Sequence, residues 1–270
     1  MKQRLDQALV TRGVVTTRSQ GESWIRLGKV LVNGRAQTKP GFLVSDEASV
    51  VLTATEQYVS RAGLKLSSAA KALKLEFTDI VMLDVGSSTG GFTDYALQHG
   101  ARKVIAIELG TDQLHPSLHG NPKIELHEQT DIRNVVMLRG GEPGGTPAAR
   151  NAVSTVGESG STGPRHVVLS DAPDMIVIDV SFTSVRDILP HVAKISGKQT
   201  DIIAMVKPQF EASAANLKHK GVIKNDHLRR NILKSFEDWA KQYFVVLDKA
   251  DSEVAGFRGN VERFYKLRPL

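Results

Sequence analysis

The chain has 270 residues, 41% of them apolar, with a formal net charge of +6 and no cysteine. That length suits one large domain plus a small one, and the apolar share supports a packed core. The missing cysteine excludes disulfides, thiolate chemistry and cysteine-bound metal or iron–sulfur centres. No run reaches the roughly 20 apolar residues of a membrane span, and the first residues lack the apolar stretch of a signal peptide, so a cytoplasmic protein is expected.

The charge is lopsided. Residues 1–40 carry eight Lys and Arg against Asp6 and Glu22, which accounts for the whole net charge of +6. A basic lobe on a neutral body predicts a polyanion-binding attachment, with nucleic acid the leading partner. Within it, Arg4, Leu5, Ala8 and Leu9 fall at helical spacing, and Thr16 or Thr17 can cap a second helix ending at Gly28. Asn33-Gly34 after Val30-Leu31-Val32 is a hairpin signal, and Leu43-Val44 and Val50-Val51-Leu52 supply further strands. Two helices and a hairpin, with Arg4-Leu5-Asp6, Gly28-Lys29-Val30-Leu31-Val32-Asn33-Gly34 and Lys39-Pro40, resemble the small RNA-binding module of the S-four type. That resemblance makes Arg4, Arg12, Arg18, Arg26, Lys29 and Arg35 candidate RNA contacts over a domain spanning 1–52. Residues 53–60 read as a linker. The helix that follows, from Ser60, has no acid before Glu76; Leu64, Ala69, Leu73 and Leu75 would pack it, with Arg61 and Lys65 on another face and Arg61 a further RNA-contact candidate.

The second domain, 61–270, is organised around Val81-Met82-Leu83-Asp84-Val85-Gly86-Ser87-Ser88-Thr89-Gly90-Gly91-Phe92. An apolar run ending in an acid, a glycine-rich bend, and then Phe92, Tyr95, Ala96 and Leu97 predict strand, tight turn and helix. In open α/β sheets such turns lie at the edge where ligands bind. Ser88 occupies the place of a dinucleotide fingerprint's middle glycine; the pattern resembles instead the first motif of S-adenosylmethionine-dependent methyltransferases. A purely structural turn stays open at this point. The resemblance implies cofactor contacts from Asp84, Gly86, Ser87, Ser88, Thr89, Gly90, Gly91 and Phe92, with glycines that let the ligand approach bare backbone.

Val104-Ile105-Ala106-Ile107 reads as a second strand ending in Glu108, about 20 residues after the turn, where such folds hydrogen-bond a ribose diol. A third strand near Ile124–His127 is followed by Asp131, at the position that holds adenine. Residues 140–166 contain seven Gly, three Pro, three Ser and three Thr, a composition predicting a flexible insertion with nothing to bury. The runs Met175–Ile178 and Ile202–Val206 end at Asp179 and Lys207, so both should stand on the ligand edge of one sheet. Tyr243–Leu247 follows, and Val261–Leu267 alternates like an edge strand carrying Glu262 on its polar face.

Taken together, Ser60-Arg61-Ala62-Gly63-Leu64-Lys65-Leu66, the glycine turn, Gly110-Thr111-Asp112-Gln113-Leu114, Asp179-Val180-Ser181-Phe182, Val206-Lys207-Pro208-Gln209-Phe210-Glu211 and Gly259-Asn260-Val261-Glu262 resemble the TlyA family. The resemblance implies an α/β, Rossmann-like FtsJ-type methyltransferase domain behind a small α+β RNA-binding domain. It also implies S-adenosylmethionine as cofactor and ribosomal RNA or ribosomal subunits as partner; an in-line methyl transfer from a sulfonium needs no metal, and among oligomeric states a monomer is favoured. A Lys-Asp-Lys-Glu tetrad for ribose 2′-O methylation, with cytidine the expected target, falls on Lys65, Asp179, Lys207 and Glu262. Crowding by Lys65 would favour the neutral form of Lys207 and let it act as base. Two rival readings remain: a membrane-active haemolysin, the second label of that family, and an RNA-binding protein whose methyltransferase domain is inert. The lack of a span or a lysine-faced amphipathic helix weighs against the first, and the four filled tetrad positions against the second.

Overall fold

Short β-branched runs, too brief for helices and apolar on both faces, pair as parallel strands when helices can cover each side. The computed structural model describes residues 2–15, 17–54, 58–137, 166–169, 172–212, 221–256 and 259–270. In it, β6 (Val81–Val85), β7 (Lys103–Ile107), β8 (Ile124–His127), β11 (Met175–Ile178) and β12 (Asp201–Val206) form the parallel part of a seven-stranded sheet. The order is β13-β14-β12-β11-β6-β7-β8, so the chain reverses its direction of travel between β6 and β11. Loops leaving those two adjacent strands diverge and open a crevice at the sheet's carboxyl edge.

The last two strands depart from the sequence expectation. β13 (Phe244–Asp251) is the edge strand, and β14 (Arg263–Pro269) inserts antiparallel between it and β12. Phe264, Tyr265 and Leu267 are all fully buried, so the apparent alternation marked two covered faces rather than one. Glu262 therefore sits just ahead of the strand, where the chain enters the sheet, and not on a solvated face.

Helices cover both sides. α3 (Arg61–Leu73) and α4 (Gly91–Gln98) pack through Leu66, Ala69, Phe92 and Ala96 on one face. α5 (Leu189–Ile195) and α7 (Asp226–Ala240) bury Leu189, Val192, Leu233 and Phe236 on the other. A four-residue helix, α6 (Pro208–Glu211), follows β12 directly. A small parallel pair, β9 (Val135–Met137) with β10 (Val167–Leu169), brackets the 140–166 segment, which lies outside the described residues save for His166.

The N-terminal unit contains α1 (Leu5–Thr11) and α2 (Arg18–Arg26), the latter capped by Thr17 accepting from the Gln20 amide. β2 (Val30–Val32) and β3 (Arg35–Ala36) form the hairpin, with Asn33 and Gly34 both at positive φ as that turn requires. β5 (Val50–Leu52) joins it on the other side of β2. A strand with no sequence signal, β1 (Lys2–Arg4), pairs with β4 (Leu43–Ser45). Apolar packing continues from this unit into the large domain through Tyr58, which is 2% exposed and tilted on Tyr95. Tyr58 and its two successors are thus built into the body, while 55–57 lie outside the described residues. Among the described residues, no helix is long and apolar enough to cross a membrane.

Candidate active site

The carboxyl ends of β6, β11 and β12 and the start of α3 surround a cavity of about 580 Å³. Its floor and one wall come from the glycine turn, through Asp84, Gly86, Ser87, Ser88, Thr89 and Phe92. Lys65 enters from α3, Asp179 from the end of β11, Lys207 from the end of β12 and Glu262 from the approach to β14. All four tetrad candidates therefore converge from separate parts of the chain.

They converge as two ion pairs. Lys65 Nζ donates to Glu262 Oε2 at 2.5 Å, with side chains 8% and 2% exposed. Lys207 Nζ lies 2.5 Å from Asp179 Oδ1 and donates to Ser181 Oγ at 2.8 Å. The expected crowding of the two ammonium groups is thus offset, because each carries its own carboxylate. Charges this deeply buried persist only when paired.

The turn's glycines serve the protein before any ligand. A Cβ on Gly86, at φ +83°, would come within 2.8 Å of the Asp179 carbonyl. A Cβ on Gly91 would meet Ser60 Oγ at 2.3 Å and Ala62 Cβ at 2.7 Å. These glycines let β11 and α3 close on the turn, and Gly86 also lines the cavity. Gly90 and Gly91 do not line the cavity.

Asp84 is fully buried, and Thr93 Oγ1 donates to its Oδ2 at 2.7 Å. Its Oδ1 has no hydrogen-bond partner, and neither has the buried Ser87 Oγ. Burial above all, with the negative charges of Asp179 and Glu108, pushes the Asp84 carboxyl up to about 7 against the pull of the Thr93 hydroxyl. An orphaned carboxylate oxygen and an orphaned hydroxyl on residues that line a cavity suit a ligand with a cationic, hydrogen-bonding end. The ammonium and carboxylate of S-adenosylmethionine fit that description.

Two other cofactor candidates lie apart. Glu108 spends both oxygens on backbone amides, accepting from Ser88 N at 2.8 Å and Gly110 N at 2.7 Å. Asp131 caps the 3₁₀ turn Ile132–Asn134 and takes a two-pronged bond from Arg133, whose guanidinium chiefly holds its carboxyl below the usual range. Neither lines the cavity, although both follow strands on its β7–β8 side.

Sequence reasoning missed several walls of the cavity: Ser60, Ser181, Phe182, Gln209, Phe210 and Asn260. Only Phe182 carries a local oddity, a bulky residue at φ +66° and 92% exposed, its ring tilted 5.5 Å from that of Phe210. Glu211, fully buried, accepts from Ser184 Oγ, Val185 N and Arg186 Nε. It thereby ties the helix behind Lys207 to the loop behind Asp179. Burial raises its carboxyl despite those donors.

The basic candidates divide by what they touch. Arg4 and Arg18 both bond Asp6, which is fully buried; burial opposes its charge, yet the two guanidinium groups bring its carboxyl down to about 2. Arg12 donates to the carbonyls of Ala48 at 2.6 Å and Ser45 at 2.9 Å, clasping the turn between β4 and β5. Arg26, Lys29 and Arg35 stay exposed, with no side-chain partner among the described residues. Arg61 lines the tetrad cavity and also the adjoining cleft between α2 and residues 253–256 with Gly259.

Comparison with known proteins agrees with this architecture. The model of the FtsJ-like methyltransferases matches residues 58–268, and that of the S4 domain residues 3–50. The chain is 32% identical over 269 residues to the 16S/23S rRNA (cytidine-2′-O)-methyltransferase TlyA of Mycobacterium tuberculosis, spanning 98% of this chain and 89% of that one. It is 29% identical over 260 residues to Hemolysin A of Brachyspira hyodysenteriae, covering 96% and 97%. The solved structure of a hemolysin-named protein from Streptococcus thermophilus superposes with a TM-score of 0.63 at 30% identity, covering 99% of this chain and 88% of that one. Haemolysin and methyltransferase are thus names carried by relatives of one architecture. The chain belongs to the FtsJ-like methyltransferase family, with an S4 domain ahead of the catalytic one.

Proposed function

We propose that this chain transfers a methyl group from S-adenosylmethionine to a ribose 2′-hydroxyl of ribosomal RNA, on a cytidine, in the cytoplasm and as a monomer. The observation that carries the reading is the pair of buried ion pairs, Lys65–Glu262 and Lys207–Asp179, on one cavity beside the orphaned Asp84 oxygen. Bound there, S-adenosylmethionine supplies a methyl group on a positively charged sulfur. Every other demand falls on the chain. Asp84 and Ser87 hold the amino-acid end of the cofactor, while Glu108 and Asp131 flank the run of strands toward which its nucleoside extends.

A ribose hydroxyl is a weak nucleophile and must shed its proton as the new bond forms. Lys207 takes that proton at Nζ, in its neutral amine form, which it reaches once its own proton has been passed to Asp179 or to solvent. Asp179 and Ser181 occupy two of the three directions around that nitrogen, which leaves the third for the hydroxyl. Lys65, fixed by Glu262, presents positive charge to the target's phosphodiester backbone. Since no metal step is invoked, positioning supplies most of the rate. Arg26, Lys29 and Arg35 anchor RNA from the N-terminal unit, and Arg61 guides the strand between that unit and the cavity.

The test is transfer of labelled methyl from S-adenosylmethionine to ribosomal subunits prepared from cells lacking this gene, with the product nucleoside identified. Label on a ribose 2′-oxygen supports the proposal. Dye release from lipid vesicles without methyl transfer would overturn it in favour of the haemolysin reading.

A further inference from the structure

Buried polar atoms without partners are costly, so where they cluster they mark places a ligand completes. Among the described residues, those carried by side chains that line the tetrad cavity are Ser60 Oγ, Asp84 Oδ1, Ser87 Oγ, Gln209 Oε1 and, beside the Lys207 ammonium, Asp179 Oδ1. The first three belong to one side: Asp84 and Ser87 lie on the glycine turn, and Ser60 abuts it at Gly91. Gln209 lies on the other side. It is the second residue of α6, two positions after Lys207, beyond the end of β12.

Sheet order separates the two ligands. From β12 the strands run β11, β6, β7, β8, and the cofactor candidates leave the last three. With strands about 4.8 Å apart, Gln209 stands two strand positions from the turn that receives the cofactor, on the side from which the target must come. Phe210, its neighbour, has its ring 5.9 Å from Lys207 Nζ, so this wall begins one side chain's breadth from the reacting hydroxyl.

We infer that Gln209 is a specificity-determining residue, whose side-chain oxygen accepts a hydrogen bond from the exocyclic amine of a cytosine attached to the target ribose. Within one nucleotide the phosphates and ring oxygen only accept, and the sole free hydroxyl of the sugar is the reacting one. A partner for a buried acceptor must come from the base. Cytosine presents an amine at its position 4, whereas uracil presents a carbonyl there, which would set oxygen against oxygen in the orientation the Gln209 amide has, with Oε1 inward. The inference rests on the proposed 2′-O-methyl transfer and names which feature of that site selects the base.

The experiment uses the full-length chain and ribosomal subunits lacking the modification. Once the methylated nucleotide is mapped, rates are compared on those subunits and on subunits carrying uridine in place of cytidine at that position. The wild-type chain should prefer cytidine by on the order of 10–100-fold in kcat/KM. Gln209→Leu should bring that ratio close to one, while Gln209→Glu, which keeps an acceptor oxygen, should retain it. Gln209→Met serves as the apolar variant should Leu not fold, and cofactor affinity by calorimetry should be unchanged in all of them. A cytidine-to-uridine ratio unmoved in the apolar variants, or a wild-type chain indifferent to the base, overturns the assignment of Gln209 alone. A wild-type chain that methylates no ribose hydroxyl overturns the functional proposal beneath it.

Discussion

Lys65 and Glu262, separated by 197 positions in the chain, meet at 2.5 Å in a cavity wall where neither side chain is more than 8% exposed. Removing one partner strands the other's charge in a poorly solvated place. Lys65→Met should therefore cost about 3–5 kcal/mol, read as a clear fall in melting temperature. The double variant Lys65→Met/Glu262→Gln should recover much of that stability and none of the activity. A single variant as stable as the wild type would show that water reaches the pair.

Lys207 is tested by charge-conserving replacement. Lys207→Ala should lose on the order of 10²–10⁴ in kcat with cofactor affinity unchanged. Lys207→Arg should fail almost as badly, because a guanidinium gives up no proton at working pH. Near-native turnover by the arginine variant would reduce Lys207 to an electrostatic clamp.

Gly86 is the hinge between cofactor turn and tetrad. Because its Cβ would press on the Asp179 carbonyl, Gly86→Ala should displace Asp179 as well as strain a positive φ. The expected outcome is a loss of roughly 1–3 kcal/mol in stability together with a fall in kcat larger than any change in cofactor affinity. Loss of cofactor binding with unchanged melting temperature would mean that the turn yields toward the cavity instead.

Asp84 sets a pH dependence. In the cofactor-free protein its carboxyl titrates at about 7, well above the ordinary 3.8, so between those values the folded chain binds more protons than the unfolded one. Stability of the cofactor-free protein should then fall as pH rises across that window and level off above it. A cationic ligand favours the carboxylate, so cofactor affinity should rise from pH 6 to pH 8. Calorimetry should find the rise absent in Asp84→Asn, and a flat wild-type profile would disconnect Asp84 from the ligand.

The N-terminal basic residues should separate into two groups. Arg12→Ala should cost about 1–3 kcal/mol by unclasping the β4–β5 turn. Arg26→Ala, Lys29→Ala and Arg35→Ala should leave stability alone, raise KM, and each reduce the salt dependence of RNA binding by about one unit of slope. Equal effects on KM from all four would show that Arg12 also reaches the RNA.

Much of the site was legible because parallel strands betray themselves as apolar runs, and the charged residue closing each run must emerge at one edge of the sheet. Asp84, Asp179 and Lys207 were found that way. Lys65 and Glu262 needed family resemblance, since a lysine on a helix and a glutamate before a strand have no local signature. The misplacing of β14 has a simple cause: Phe264, Tyr265 and Leu267 look alternating until a second strand, β13, closes over the outer side. Nor does composition distinguish an arginine that clasps carbonyls, like Arg12, from one that faces solvent, like Arg26. Gln209 and Ser181 lie inside stretches that carry the family resemblance, yet no local pattern marks either as a site residue; their position comes from how β11 and β12 end side by side.

The position of β14 bears on when the protein can become active. This strand fills a slot between β12 and β13, and the residue just ahead of it is the glutamate that neutralises Lys65. Sheet closure and completion of the active site are consequently one event. A chain caught with the slot empty has a seam in its sheet and an uncompensated lysine in its cavity, and it should be recognisable to proteases. The architecture thus couples the cavity to the integrity of the sheet: in a partially assembled molecule Glu262 is missing from the cavity wall and the Lys65 ammonium there has lost its partner.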